Sequence, residues 1–75
     1  PSVALLADGS GLADLEVLVD GAGAWLAPGG ALVLEMAPDQ TPAMADRART
    51  VGYVDVGVHR DLTGRDRVLV ARLPA

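Results

Sequence analysis

Apolar residues recur at helical spacing early in the chain: Leu12, Leu15, Val19, Ala22 and Trp25/Leu26 form one stripe of an amphipathic helix. Residues 1–6 ahead of it are short and extended in character, and the breaker cluster Ala7-Asp8-Gly9-Ser10-Gly11 follows them. Ser10 is placed to cap the helix with its hydroxyl, and Asp14 and Glu16 come next, near the positive end of the helix dipole. Gly21 and Gly23 fall inside the pattern, each at a cost of roughly 1 kcal/mol relative to Ala. A close approach of the backbone to a sheet is the reason expected for them. Pro28 stops the helix, and Gly29-Gly30 permit a tight turn.

Residues 31–36, opening on Ala31 and closing on Met36, are an almost unbroken apolar run, as in a strand buried on both faces. Thr41-Pro42 then reads as a helix N-cap with Pro in the first helical position. Met44, Ala48 and Val51 give the inner face of a second helix, Asp46, Arg47 and Arg49 its outer face, and Gly52 its end. Val54, Val56 and Val58 alternate with Asp55, Gly57 and His59, which predicts a strand with one polar face. A further strand over residues 67–73 follows a Gly-containing loop at 61–66, short enough for an antiparallel hairpin. The expected class is α/β, in the order helix, strand, helix, strand, strand, with Trp25 and Met44 in the core and His59 on the surface.

This order leaves a mismatch. Three strands and two helices cover only one face of a small sheet, and a strand as apolar as 31–36 should not be an edge. More strands are therefore expected beside it, and residues 1–75 are expected to be a single partial domain of something longer. Standing alone, the chain would self-associate through the exposed edge from Ala31 to Met36.

Composition narrows the setting. A chain of 75 residues buries only about 60% of its unfolded surface, so its core is marginal without help. With no Cys and one His, disulfides and thiolate metal sites are excluded and a zinc cage is not expected. A net charge of −4 without any Lys argues against nucleic acid and against anionic membrane surfaces. No apolar run approaches the ~20 residues that span a bilayer, and a cytoplasmic setting is expected.

Particular residues resemble a known family. Pro1-x-x-Ala4-Leu5, Gly11-Leu12 and Leu26-Ala27-Pro28-Gly29-Gly30 resemble the end of the class I S-adenosylmethionine-dependent methyltransferase fold. Leu32-Val33-Leu34-Glu35 with Gln40, then Gly52-Tyr53, then Asp61-Leu62-Thr63-Gly64-Arg65-Asp66-Arg67-Val68, are more particular. They are similar to the HemK-type protein-(glutamine-N5) methyltransferases that modify peptide-chain release factors. The chain departs from that pattern at Ala7-Asp8-Gly9-Ser10, where two glycines and an acid are usual, and at Met36-Ala37, where Ile-Gly is usual.

The resemblance implies the carboxy-terminal part of a Rossmann-like, seven-stranded sheet whose last strand runs antiparallel between its neighbours. Residues 31–36, 54–61 and 67–73 would be its fifth, sixth and seventh strands. It also implies S-adenosylmethionine as methyl donor in the parent protein, and a release-factor glutamine amide as acceptor. The family's Gly-rich donor loop and its Asn-Pro-Pro-Tyr motif do not occur here, and the chain contains no Asn. No catalytic or donor-binding residue carries over, and this piece alone is expected to be inactive. Two other readings stay open: a class I methyltransferase acting on DNA or a small molecule, and a non-catalytic, self-associating remnant of the fold.

The candidate residues lie at the cleft rim. Glu35 ends a buried strand at its carboxyl end, where open α/β sheets bind ligands; the plainer reading is a carboxylate that caps a helix or pairs with an Arg. Gln40 lies just beyond, where its amide could hydrogen-bond in the same mouth; the plainer reading is a side-chain-to-backbone bond that holds its own loop. Asp8, Gly9 and Ser10 occupy the other loop on that side, with helix capping as the plainer account. Asp61, Arg65, Asp66 and Arg67 could clamp an anion, although alternating charges in one turn more often neutralise one another.

Overall fold

In the computed structural model, which describes residues 2–6 and 11–75, a late strand sits in the middle of the sheet. That strand, β4 (Asp66–Arg72), runs antiparallel between β2 (Ala31–Glu35) and β3 (Asp55–Arg60). On the far side of β2 lies a parallel partner, β1 (Val3–Leu6), so the sheet order is β1-β2-β4-β3. The insertion of the last strand is the one the family resemblance implies. The element order, however, opens with a strand. Four residues with no period of their own gain strand character only by pairing with β2, Val3 opposite Ala31 through Leu6 opposite Leu34.

This pairing corrects the expectation of an exposed edge from Ala31 to Met36. β2 is bonded on both sides, to β1 and to β4, so its N–H and C=O rows are not open to a second copy. Among the described residues the outer strands are β1 and β3. β3 carries Asp55, His59 and Arg60, polar side chains of the kind that discourage pairing at an edge.

The register places side chains in rows across the strands. Leu32, Ala71 and Val56 form one row and Leu34, Leu69 and Val58 the next. Leu32, Leu34, Leu69 and Ala71 are fully buried, together with Met36, and Val56 and Val58 pack against them. The alternate rows, Val33-Val70-Gly57 and Glu35-Val68-His59, face the other way and are half-buried or exposed. Among the described residues β2 is thus covered on one face only, by two helices.

The first helix, α1 (Leu12–Gly21), buries Leu15 and Val19 and runs into a 3₁₀ turn at Ala22–Ala24. Its N-cap is Gly11, one residue later than expected; Ser10 lies outside the described residues. The tighter 3₁₀ turn rotates the chain so that Leu26 enters the core while Trp25 is 45% exposed, against the expectation that Trp25 is core. Gly21 and Gly23 do not mark a close approach to the sheet. A Cβ at Gly21 would meet nothing within 4 Å, and one at Gly23 would make ordinary contact, 3.8 Å from Leu73. At the following turn Gly29 adopts φ +74, and its N–H bonds to the Pro74 carbonyl at 2.8 Å, which ties the turn to the end of the chain.

The second helix, α2 (Thr41–Val51), buries Thr41, Met44, Ala45 and Ala48 against β3 and β4. Thr41 is its first residue rather than its cap, and its hydroxyl donates backward to the Pro38 carbonyl at 2.9 Å. Val51, expected on the inner face, is 42% exposed, and Ala45 takes its place. Gly52 ends the helix in the left-handed region at φ 112, where a Cβ is penalised. The next residue, Tyr53, is buried, and its hydroxyl donates to the Val19 carbonyl in the last turn of α1 at 2.9 Å. Burial, and after it the charge of Asp20, pushes the Tyr53 hydroxyl above the ordinary tyrosine pKa.

A surface clamp also joins the two helices. The Arg47 guanidinium donates through Nε (2.9 Å) and Nη2 (2.5 Å) to the two carboxylate oxygens of Asp20, a bidentate pair, with Glu16 3.9 Å away. The Arg47 hydrogen bond, above all, holds the Asp20 carboxyl below its ordinary value of 3.8.

Two predictions follow from these helices. Gly21 has φ −92 and ψ −22, a helical conformation that Ala adopts freely. Gly21→Ala should therefore stabilise the chain by about 0.4–1 kcal/mol, chiefly by restricting the unfolded state. A lower midpoint in urea denaturation would refute this. The lowered pKa of Asp20 means that the clamp contributes fully above the ordinary carboxyl range and fades as pH falls through Asp20's depressed value. Arg47→Gln should accordingly lower the denaturation midpoint at neutral pH and leave it unchanged in strong acid. A deficit that persists undiminished in acid would show that packing, and not charge, holds the helices together.

Candidate functional site

Glu35 closes β2 at its carboxyl end and is exposed. β4 enters the sheet from that same end, since Glu35 is paired with Val68 and the Met36 N–H bonds to the Arg67 carbonyl at 2.9 Å. β3 leaves there too, with Arg60 opposite Asp66. One end of the sheet therefore gathers Glu35, the turn leading into α2, and the β3–β4 hairpin. In open α/β sheets this is the end at which ligands bind.

The turn after β2 is a 3₁₀ segment, Pro38–Gln40. The Gln40 side-chain oxygen accepts the Ala37 N–H at 2.9 Å, so this amide holds its own loop. Glu35 forms no ion pair among the described residues and caps neither helix. Asp8, Gly9 and Ser10, the remaining rim candidates, lie outside the described residues.

The hairpin organises its own charges. Asp61 Oδ1 accepts three bonds: from the Thr63 N–H at 2.8 Å, the Thr63 hydroxyl at 2.6 Å and the Arg65 N–H at 3.2 Å. The Asp61 N–H donates to the Arg65 carbonyl at 2.8 Å, and Gly64, at φ +84, turns the chain back. The Thr63 hydroxyl first, then the two N–H groups and the Arg67 charge, hold the Asp61 carboxyl below the usual aspartate range. Asp66 pairs with Arg60 at 3.6 Å. Both acids of the turn are thus engaged inside it. The Arg65 guanidinium has no ion-pair partner among the described residues, and Arg67 Nε is buried without a hydrogen-bond partner among them.

A second feature escaped the sequence reading. On the open sheet face Asp55, Gly57, His59, Val70 and Arg72 line a shallow concavity of about 330 Å³. Gly57 creates it by lacking a side chain, and the His59 ring folds toward that gap: a Cβ on Gly57 would stand 3.2 Å from His59 Nε2. The alternation of residues 55, 57 and 59 already placed these side chains on one face, but Val70 and Arg72 join them only through the β3–β4 register. Among the described residues no group of three or more His, Asp and Glu is placed to hold a metal ion, and no helix is long and apolar enough to cross a membrane.

Comparison with known proteins gives a consistent result. No protein-family profile matches the chain. The release factor glutamine methyltransferase of Xylella fastidiosa is 47% identical over 74 residues, covering 99% of this chain and 27% of the relative. That of Cereibacter sphaeroides is 44% identical over 75 residues, covering 100% of this chain and 27% of the relative. That of Salmonella typhimurium is 43% identical over 72 residues, covering 96% and 26%. The chain spans about a quarter of the length of the curated relatives it matches. Across essentially its whole length, then, this chain is similar to one segment of proteins named release factor glutamine methyltransferase.

Proposed function

We propose that the chain is the carboxy-terminal piece of a Rossmann-like, S-adenosylmethionine-dependent methyltransferase domain. The whole protein would transfer a methyl group to the side-chain amide nitrogen of a glutamine in a peptide-chain release factor. The observation that carries this reading is 47% identity over 74 residues, 99% of this chain, to a protein named release factor glutamine methyltransferase.

The architecture supports it. β1 and β2 are a parallel pair within a mixed sheet, a combination common in doubly wound α/β folds with helices on both faces. Here α1 and α2 cover one face, while Val33, Val68 and Val70 on the other are half-buried and Val3 is 56% exposed. An apolar sheet face of this kind calls for a second helical layer, and the relatives have nearly three-quarters of their length from which to supply it.

The described residues do not fit the methyl donor. The glycines with positive φ, Gly29, Gly52 and Gly64, close turns and form no cradle. The concavity at Gly57 lies on the sheet face and not at the carboxyl ends of the parallel strands. Donor binding and the positioning of the reacting amide therefore fall to the rest of the whole protein, and no chemical step is assigned to a residue of this chain. Its own part is structural: it supplies one wall of the sheet and, through Glu35 and Gln40, a stretch of the rim.

The test exchanges the matching quarter of the Xylella fastidiosa relative for this chain. The chimera should bind S-adenosylmethionine and methylate a release-factor glutamine, read by mass spectrometry of the modified peptide. The isolated chain should give no heat when titrated with the donor. A chimera that binds donor yet leaves the glutamine unmodified would defeat the reading, and a saturable calorimetric signal from the isolated chain would defeat the assignment of donor binding elsewhere.

A further inference from the structure

Leu62 is fully exposed, at 108% of its reference area, on the tip of the β3–β4 hairpin. Among the described residues it buries no surface and makes no contribution to the core. The tip is also well defined. Asp61 holds it through three accepted bonds, and Gly64 fixes its return. A lone exposed leucine is ordinary on a protein surface. One presented on a braced turn, at the end of the sheet where ligands bind, is better placed to make a contact.

The charges around it point to the kind of partner. The chain carries six Arg against ten acidic residues, yet Arg60, Arg65 and Arg67, three of the six, lie within residues 60–67. The two acids of that stretch are occupied internally, Asp61 by Thr63 and the backbone, Asp66 by Arg60. Three Arg against two Asp leave the hairpin with a net charge of +1 on an otherwise acidic molecule, and Arg65 is exposed with no ion-pair partner among the described residues. Nucleic acid would be repelled by the net charge of −4. The complementary surface is a folded protein with an apolar depression rimmed by carboxylates.

We propose that the tip of this hairpin is a docking element for the protein substrate: Leu62 enters an apolar depression on that protein, and Arg65 lies against carboxylates at its rim. The inference rests on the reading of the whole protein as a protein methyltransferase, and it places substrate recognition in a part of the molecule that has no role in binding the donor. Because the turn is already braced, docking orders little further chain, and the contact loses less entropy than a flexible loop would.

The experiment uses the full-length Xylella fastidiosa relative carrying this chain in place of its own quarter, and measures binding to an intact release factor separately from methyl transfer. Leu62→Ser and Arg65→Glu should each weaken binding about tenfold, as expected for a central contact. KM for the release factor should rise in step, while kcat at saturation, donor affinity and activity on a short glutamine peptide stay unchanged. The Arg65→Glu effect should shrink at high salt and the Leu62→Ser effect should not. Unchanged donor affinity also certifies that each variant is folded. Variants that bind the release factor as tightly as the unmutated chimera would overturn the proposal, as would an unmutated chimera that does not bind it at all. An unmutated chimera that binds but transfers no methyl would defeat the proposed activity and leave the docking element standing on the binding data.

Discussion

The antiparallel ladder between β2 and β4 is the constraint on which the rest of this structure depends. It sets Leu34 beside Leu69 and Leu32 beside Ala71, so the two most apolar strands bury each other's flanks. It also fixes where everything else can go. β3 pairs with β4 and not with β2, α2 lies over β3 and β4, and α1 packs against α2. Because β4 is the last strand, it arrives only after β2, α2 and β3, and its insertion closes contacts between residues far apart in sequence. Such non-local pairing must first overcome loop-closure entropy, so the sheet forms as a whole or hardly at all.

Much of this was legible in the residues, and the exceptions have physical reasons. Gly52 announces the end of α2 because only a residue tolerant of φ 112 suits that position. The alternation from Val54 to His59 announces β3, although Val54 itself falls just before the strand and stays exposed. Trp25 misleads because the helical period assumes 3.6 residues per turn, and a 3₁₀ turn breaks that period at Ala22–Ala24. β1 was hard to read because a four-residue parallel strand has no pattern of its own; its identity lies in β2. The same holds at the candidate site. A carboxylate at the end of an apolar run places Glu35, whereas the bond from Gln40 to the Ala37 N–H depends on a 3₁₀ turn that no periodicity reveals.

The two faces of the sheet tell different stories about completeness. On the helix side Leu32, Leu34, Met36, Leu69 and Ala71 are sealed, and two buried hydroxyls are satisfied: Tyr53 reaches Val19 and Thr41 reaches Pro38. On the other side the row Val33-Val70-Gly57 is half-covered and ends in a concavity beside His59. A chain of this size has little stability to spare, and apolar surface left in water forgoes about 25 cal/mol per Å². The two faces of the sheet therefore differ in how well their apolar side chains are covered among the described residues, in a chain that spans about a quarter of its relatives.

Stability and chemistry are accordingly divided along the strands rather than between them. The centre of each strand is committed to the core: Leu32, Leu34, Leu69 and Ala71 are fully buried, and a change of even one methylene is felt in such a core. At the carboxyl end of the parallel strands the same chains emerge as Glu35, the 3₁₀ turn and the hairpin tip, whose side chains are exposed or only half-buried. Substitution there costs the fold little, provided that the Asp61 bonds and the left-handed Gly64 keep the turn in place. Leu62 and Arg65 are thus exposed on a backbone that the Asp61 bonds and Gly64 hold in place. Rigid presentation combined with side chains free to vary is the condition under which a surface turn acquires specificity without weakening the sheet that carries it.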